Sequence, residues 1–149
     1  MSHTFHSLSF HIIFSTKGRV PCIDAAMQAR LFPYLGGILR EIGGKALIIN
    51  GMPDHVHILA ALPAALNVSD VLRVLKANSS GWVHEALGKR TLAWQTGYAA
   101  FTVSHSNLDS VTEYITNQAQ HHKRRSYQDE LLALLKKHGV KYDERHIWG

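Results

Sequence analysis

The sequence predicts an α+β protein in which short strands and longer helices alternate. Short aromatic and β-branched segments have apolar residues at every second position, and the segments between them have apolar residues three or four apart. The 149 residues contain no internal repeat, low-complexity tract or Gly/Ser linker. We therefore expect residues 1–149 to form a single domain around one core.

The first strand and the first helix come before residue 45. Phe5 to Ser15 is predicted to be a strand, because its apolar residues share one face at period two: Leu8, Phe10, Ile12 and Phe14. Asp24 is the predicted N-cap of a helix that Gly43-Gly44 ends. Its apolar residues have helical spacing, at Met27, Leu31, Leu35, Ile38 and Ile42. Pro33 lies inside this helix and removes a backbone donor, so we expect a local defect there.

A hairpin follows, and then a second helix. Lys45 to Asn50 is predicted to be a short buried strand, Gly51 to Asp54 a turn, and His55 to Leu62 the partner strand. After Pro63, helical spacing predicts a helix that ends near Gly88. Its apolar residues are Val68, Val71, Leu72, Leu75, Trp82, Val83 and Ala86.

The C-terminal third adds one strand and two helices. Tyr98 to Ser104 is the fourth predicted strand. A third helix, with Ser106 or Asn107 as its N-cap, runs into the basic segment 121–125. Its apolar residues are Leu108, Val111, Ile115 and Ala119. Tyr127 to Lys137 is predicted to be a short final helix.

This order of elements predicts a ferredoxin-like split βαβ arrangement. We expect a mostly antiparallel four-stranded sheet with helices on one face and extra C-terminal helices. RNA-binding modules, metabolic regulators and DNA-nicking enzymes all use this fold, so the site residues must decide the function.

Composition narrows the class of partner. The formal net charge is +5 and the isoelectric point is about 9.5, which favours acidic partners such as nucleic acids. One cysteine, Cys22, excludes an intramolecular disulfide and a cysteine-rich zinc module, and fits a reducing compartment. The sequence has neither a secretory signal pattern nor an apolar run near the roughly 20 residues of a membrane span. We expect a cytoplasmic protein without a membrane partner.

His55 and His57 are the first candidate site residues. They lie two apart on a predicted strand, so both imidazoles leave the same face and can converge on one metal ion. About 0.8 His-x-His pairs are expected by chance in a chain with 11 histidines, so the motif alone is weak. Its position directly after a tight turn places Asp54 and both imidazoles near an accessible edge. The alternative is a buried, hydrogen-bonded structural histidine.

Tyr114 and Gln118 are the second candidate pair. They lie four apart on the predicted third helix and share one face. Tyrosine can attack a phosphodiester and conserve the bond energy in a phosphotyrosine link, and a glutamine amide oxygen can complete a two-histidine site for Mg²⁺ or Mn²⁺. The alternative is that Tyr114 is an ordinary half-buried aromatic of an amphipathic helix.

Five segments also occur in an order typical of one family. They are His11–Lys17 (HIIFSTK), Met52–Leu59 (MPDHVHIL), Trp94–Ser104 (WQTGYAAFTVS), Tyr114–Gln118 (YITNQ) with His121-His122, and Gly139–Trp148 (GVKYDERHIW). Together they resemble the HUH single-tyrosine transposases of the insertion sequence 200 type, where HUH denotes histidine, hydrophobic residue, histidine. The resemblance covers nearly the whole chain.

The resemblance implies a DNA transposase and assigns its site residues. His55 and His57 would bind Mg²⁺ or Mn²⁺, Gln118 would supply a third ligand, and Tyr114 would be the nucleophile. Such enzymes cleave and rejoin single-stranded DNA through a 5′-phosphotyrosine intermediate and recognise hairpins at the ends of a mobile element. They are homodimers in which the tyrosine helix of one subunit often completes the histidine site of the other, so we expect a homodimer.

Basic and aromatic residues are candidates for direct contact with DNA. The basic ones are Lys17 and Arg19 after the first strand, Arg73 and Lys76 on the second helix, and Lys123, Arg124 and Arg125 after the third. The last three adjoin the tyrosine helix and are the foremost candidates, with a solvated helix end as the alternative. Trp82, Trp94 and Tyr98 could stack on bases, although Trp82 also falls on the apolar helical stripe.

Two other interpretations stay open. One is a noncatalytic or domesticated module that binds nucleic-acid hairpins and keeps its histidines for structure, although the chain lacks a usable glycine-aromatic motif of RNA-recognition domains. The other is a metal-dependent hydrolase that uses activated water in place of tyrosine. The role of Tyr114 separates these cases.

Overall fold

The sheet is the centre of the protein. The computed structural model describes residues 3–148, and its four strands are β1 (Ser9–Ser15), β2 (Lys45–Met52), β3 (His55–Ala61) and β4 (Ala99–Val103). The strand order is β2-β3-β1-β4 and all three pairings are antiparallel. This arrangement confirms the predicted ferredoxin-like split βαβ fold.

Five helices connect or follow the strands. They are α1 (Ala25–Glu41), α2 (Val68–Ala86), α3 (Leu108–Thr116), α4 (Gln118–His121) and α5 (Tyr127–Lys137). Asp24 caps α1 as predicted, since its carboxylate accepts a hydrogen bond of 2.8 Å from the Met27 backbone. The helix continues through Pro33, and α5 has the predicted bounds.

All four strands have bounds that differ from the predicted ones, and two of the differences exceed one residue. β1 begins at Ser9 and leaves Phe5 outside the sheet, 91% exposed. The β2–β3 turn contains only two residues, because Gly51 and Met52 already pair with β3. At Gly51 the strands come so close that a Cβ atom would lie 2.3 Å from the carbonyl oxygen of His55. Glycine is therefore required at the position that leads into the histidine strand.

Both faces of the sheet are covered, so the prediction that the helices lie on one face is wrong. Alternate residues of β1 and β3, such as Ile12 and Ile58, pack against α1 and α2. The residues between them point to the opposite face of the sheet, and several of these are also apolar, including Ile13 and Leu59. The C-terminal helices bury these side chains with Ile115, Tyr127, Leu131 and Leu135.

The third helix ends earlier than predicted. It stops at Thr116, where Asn117 (φ −94°, ψ 26°) leaves helical geometry before the single turn of α4 begins. The Asn50 side chain in β2 donates hydrogen bonds to the carbonyls of Ile115 (2.9 Å) and Thr116 (3.3 Å). These carbonyls are therefore satisfied by the sheet, which fixes the end of the tyrosine helix next to β2.

The hairpin gives the first testable prediction. Gly51→Ala should reduce the free energy of unfolding by more than about 2 kcal/mol, because the new methyl group would collide with backbone atoms of β3. Gly81→Ala is the matched control, since Gly81 lies exposed in α2 with nothing within 4 Å of the added carbon. This control should stabilise the protein by about 0.5–1 kcal/mol. Urea unfolding of both variants measures the effects, and equal stabilities would contradict the prediction.

Candidate active site

The histidine pair lies on the face of the sheet that the C-terminal helices cover. His55 and His57 belong to β3 and are both fully buried. Their side chains leave the same face, as the period of two predicts, and their ring centroids are 5.1 Å apart. Both Nε2 atoms approach one carboxylate oxygen, Glu130 Oε1, at 3.3 Å from His55 and 3.0 Å from His57.

Glu130 is the centre of the cluster. It comes from α5 and is 1% exposed. A third imidazole, that of His122, also approaches Glu130 Oε1, with its Nε2 atom at 3.2 Å. Three imidazole nitrogens from β3 and from the segment after α4 therefore surround a single oxygen atom.

Tyr114 and Gln118 meet the other carboxylate oxygen, Glu130 Oε2. The Tyr114 hydroxyl donates a hydrogen bond to this atom, and Gln118 Nε2 donates another at 3.0 Å. The amide oxygen of Gln118 lies 3.2 Å from His55 Nε2 and 3.1 Å from His122 Nε2. The structure thus brings together the four residues predicted from the sequence, although α3 and α4 are separate helices.

Two outer contacts orient the histidine rings. The Nδ1 atom of His55 lies 2.7 Å from Asp54 Oδ1, and a carboxylate can only accept that hydrogen bond. The Nδ1 atom of His57 lies 2.8 Å from the Nε2 atom of the buried His11. Each ring therefore uses Nδ1 for support and presents Nε2 to the centre, as metal-binding histidines commonly do.

The charges of the cluster follow from burial and hydrogen bonding. Burial opposes ionisation of Glu130, but hydrogen bonds from the three imidazoles lower its pKa well below the usual range. Burial also lowers the pKa of His55, yet its hydrogen bonds to Asp54 and Glu130 raise it overall to about 9. Burial lowers the pKa of His11 to about 3, so that ring is neutral. Burial and the Glu130 carboxylate raise the pKa of Tyr114, which keeps its hydroxyl protonated.

Three residues of the cluster have donor atoms that lie close enough together to hold one divalent cation. Ligating atoms of His55, His122 and Glu130 all lie within 4.8 Å of one another. When metal–ligand distances are about 2.1 Å, neighbouring ligand atoms are about 3.0 Å apart in an octahedron and about 3.4 Å apart in a tetrahedron. The separations of the three imidazole nitrogens from Glu130 Oε1, 3.0 to 3.3 Å, fall in this range.

Among the predicted DNA contacts, the basic segment 123–125 lies nearest to Tyr114. Lys123, Arg124 and Arg125 are exposed. Together with Tyr114, Gln120 and His121 they line a cavity of about 620 Å³. The His121 ring stacks on the Tyr114 ring with centroids 4.6 Å apart. A cationic cavity therefore opens next to the tyrosine.

The other basic candidates lie elsewhere. Arg73 is on α2, on the opposite side of the sheet, and forms an exposed 3.7 Å pair with Asp70. The Lys76 ammonium of the same helix donates to the carbonyls of three consecutive residues, at 2.9 Å to Gln95, 3.3 Å to Thr96, and also to Gly97. The Lys76 ammonium is therefore already hydrogen-bonded to backbone carbonyls, and its position does not require a phosphate.

Lys17 and Arg19 form a single 3-10 turn after β1. Lys17 is exposed, whereas Arg19 is half-buried and lies over the Trp148 ring, 5.6 Å from its centroid. Arg19 adopts a positive φ of 57°, which is uncommon for a residue with a side chain. The cation–π contact ties this turn to the C-terminal segment.

The three aromatic residues predicted to stack on bases also lie in different environments. Trp82 stacks on Tyr34 with ring centroids 4.1 Å apart, so it packs α2 against α1. Trp94 packs edge-on against Phe14 and donates a 3.0 Å hydrogen bond to Ser79. Tyr98 is 40% exposed, and the Lys76 ammonium lies over its ring, 5.6 Å from the centroid.

Sequence reasoning missed Glu130 altogether and gave no role to His122 or His11. One signal for Glu130 was present, because α5 carries an apolar stripe at helical spacing on which it is the only charged residue. The stripe comprises Tyr127, Glu130, Leu131, Leu134 and Leu135. A buried carboxylate requires hydrogen-bond donors or positive charges around it, so a glutamate on this stripe predicts a polar cluster in the interior.

A sequence profile of the family described as "Transposase IS200 like" matches residues 4–118. The transposase for insertion sequence element IS200 of Salmonella typhimurium (strain LT2) is 27% identical over 133 residues, covering 83% of this chain and 84% of that protein. The ISDra2 transposase TnpA of Deinococcus radiodurans is 27% identical over 119 residues, covering 76% of this chain and 85% of that protein.

Two solved structures have a similar fold. A candidate transposase from Deinococcus radiodurans R1 superposes with a TM-score of 0.64 at 24% identity, covering 79% of this chain and 95% of that one. A REP-associated tyrosine transposase bound to a REP hairpin superposes with a TM-score of 0.59 at 16% identity, covering 82% of this chain and 74% of that one. Within residues 3–148, no helix has the length and apolar character to cross a membrane.

The second prediction concerns the hydrogen bonds of Lys76. Lys76→Met should reduce the free energy of unfolding by about 1–2 kcal/mol, because three carbonyls lose a charged donor. Arg73→Ala removes a positive charge from the same helix and should change stability by less than about 0.5 kcal/mol. Thermal and urea unfolding measure both variants. A Lys76→Met protein as stable as Arg73→Ala would refute the structural role of Lys76.

Proposed function

Since this chain belongs to the IS200-like transposase family, we propose that it cleaves and rejoins single-stranded DNA through a covalent 5′-phosphotyrosine link to Tyr114. One observation carries the proposal: the Tyr114 hydroxyl lies at a buried cluster of histidines, Gln118 and Glu130, beside a cavity lined by basic residues. A structural tyrosine would need neither the cluster nor the cavity.

The proposed cleavage exchanges one phosphodiester for another. The Tyr114 oxygen attacks the phosphorus and gives up its proton, the bond from phosphorus to the 3′-oxygen breaks, and that oxygen takes up a proton. The products are a free 3′-hydroxyl and a 5′-phosphotyrosine. A 3′-hydroxyl of a second strand reverses the step and releases Tyr114, so rejoining needs no external energy source.

Three residues would hold the divalent ion in this proposal: His55, His57 and Gln118. The amide oxygen of Gln118 is a ligand type that suits Mg²⁺ and Mn²⁺, and imidazoles are common ligands of divalent transition metals. A bound ion would polarise the scissile phosphate and offset the charge that develops on it. The protein itself orients the two imidazoles through Asp54 and His11.

The proposed substrate is single-stranded DNA that contains hairpins. The cavity lined by Lys123, Arg124 and Arg125 supports contact with phosphates next to Tyr114. The similar REP-associated tyrosine transposase is bound to a REP hairpin, which supports hairpin recognition. As the family resemblance implies, we expect a homodimer, and the single cysteine fits a reducing, cytoplasmic compartment.

Tyr114→Phe gives the third prediction. This variant should form no detectable covalent adduct but keep hairpin binding, because only the hydroxyl is removed. The assay mixes protein with labelled single-stranded DNA from the flanks of its gene and Mg²⁺ or Mn²⁺, followed by a denaturing gel. Tyr142→Phe is the matched control, since Tyr142 is 44% exposed and should form the adduct at the wild-type rate.

The outcomes separate the candidate functions. Cleavage that persists in Tyr114→Phe without an adduct would support a hydrolase that activates water. Tight hairpin binding by the wild-type protein without any cleavage would support a binding module. A wild-type adduct that chelator and Tyr114→Phe both abolish would support the tyrosine transferase.

His57→Gln gives the fourth prediction. It should weaken Mn²⁺ binding at least about 10-fold and slow adduct formation, because a ligand from the centre of the site is lost. His105→Gln is the control, since His105 is exposed in the turn before α3 and should leave both properties unchanged. Calorimetric titration with Mn²⁺ measures affinity, and circular dichroism checks that the variants fold. A folded His57→Gln with wild-type Mn²⁺ affinity would remove His57 from the site.

A further inference from the structure

We propose that Glu130 completes the active site in two ways, as a ligand of the divalent ion and as the residue that positions the Tyr114 hydroxyl. The inference rests on the proposed function. It adds helix α5 to the catalytic machinery, because the region matched by the family profile ends at residue 118 and Glu130 lies 12 residues beyond Gln118.

The two oxygen atoms of Glu130 have different partners. Oε1 faces the Nε2 atoms of His55, His57 and His122 at 3.0 to 3.3 Å. Oε2 accepts hydrogen bonds from the Tyr114 hydroxyl and from Gln118 Nε2. One carboxylate therefore contacts both the atoms that would hold the ion and the oxygen that would attack the phosphate.

Burial argues that this arrangement serves chemistry. Glu130 is 1% exposed and lies on the apolar stripe of α5, where a leucine would pack without any cost of desolvation. A buried carboxylate is costly unless several donors surround it, and a hydrophobic replacement of a buried charged group is often neutral or stabilising. A carboxylate held among three imidazoles and an amide is the donor set of a cation site.

Neighbouring rings hold the Tyr114 ring in place, so the orientation of its hydroxyl group depends on the Glu130 carboxylate. One face of the Tyr114 ring stacks on His121, with centroids 4.6 Å apart. Its edge faces His11 and His57 at centroid distances of 6.1 and 6.0 Å. With the ring fixed, the direction of the hydroxyl hydrogen depends on the acceptor, and Glu130 Oε2 is that acceptor.

The test uses two variants of Glu130 and one control. Glu130→Gln keeps the shape but removes the charge, whereas Glu130→Asp keeps the charge but shortens the reach to Tyr114. Asp129→Asn is the control, because Asp129 is the exposed neighbour on the same helix and loses the same charge. Calorimetric Mn²⁺ titration and the initial rate of adduct formation at saturating Mn²⁺ are measured for each protein.

We expect Glu130→Gln to weaken Mn²⁺ binding at least about 10-fold and to slow adduct formation at saturating Mn²⁺. Glu130→Asp should bind Mn²⁺ more tightly than Glu130→Gln and still form the adduct slowly, because its carboxylate no longer reaches the hydroxyl. Asp129→Asn should match wild type in both measurements. This pattern separates the ligand role from the positioning role, and a purely structural glutamate would not produce it.

Several results would overturn the inference. A folded Glu130→Gln with wild-type Mn²⁺ affinity and wild-type adduct rate removes both roles. If Glu130→Gln fails to fold, Glu130→Asp decides, and wild-type behaviour of that variant in both measurements removes the positioning role. A wild-type protein that forms no adduct contradicts the proposed function instead, and the Mn²⁺ titrations still test the ligand role of Glu130.

Discussion

A buried carboxylate is stable only where hydrogen-bond donors or positive charges surround it, and Glu130 meets this condition through five contacts. Its partners come from β3, α3, α4 and the segment that follows α4, so this one side chain connects the C-terminal helices to the sheet in addition to their apolar contacts. The imidazoles of His55 and His57 are held by the same contacts. The positions of the histidines, Tyr114 and Gln118 in the candidate site therefore all depend on one carboxylate.

The two faces of the sheet have different roles. The face toward α1 and α2 is aliphatic and aromatic, and its packing stabilises the fold. The face toward α3, α4 and α5 has apolar patches at its margins and the polar cluster between them. Strand alternation makes this division possible, because β3 can present Val56 and Ile58 to one layer and His55 and His57 to the other.

Local patterns predicted most of the fold and part of the site. Strand alternation, helical spacing and the Asp24 cap depend on residues close in sequence, so the element order could be worked out without the structure. His55 and His57 share a strand, and their convergence followed from its period. Glu130 lies 73 residues after His57, and spacing cannot show that α5 folds back onto β3. The two-residue hairpin turn was missed because it depends on the close approach of Gly51 to β3.

The positions of the charged residues indicate that the basic segment after α4 would contribute more to the binding of a phosphate beside Tyr114 than the net charge of the chain does. An ammonium such as that of Lys76 adds to the formal charge of +5, yet it is occupied by backbone carbonyls on the far side of the sheet. Lys123, Arg124 and Arg125 line the cavity that includes Tyr114. Attraction of a phosphate weakens over a Debye length of about 8 Å at physiological ionic strength, so charges next to the tyrosine would dominate at the scissile bond of the proposed substrate. A modest net charge is therefore compatible with a cationic cavity beside the proposed nucleophile.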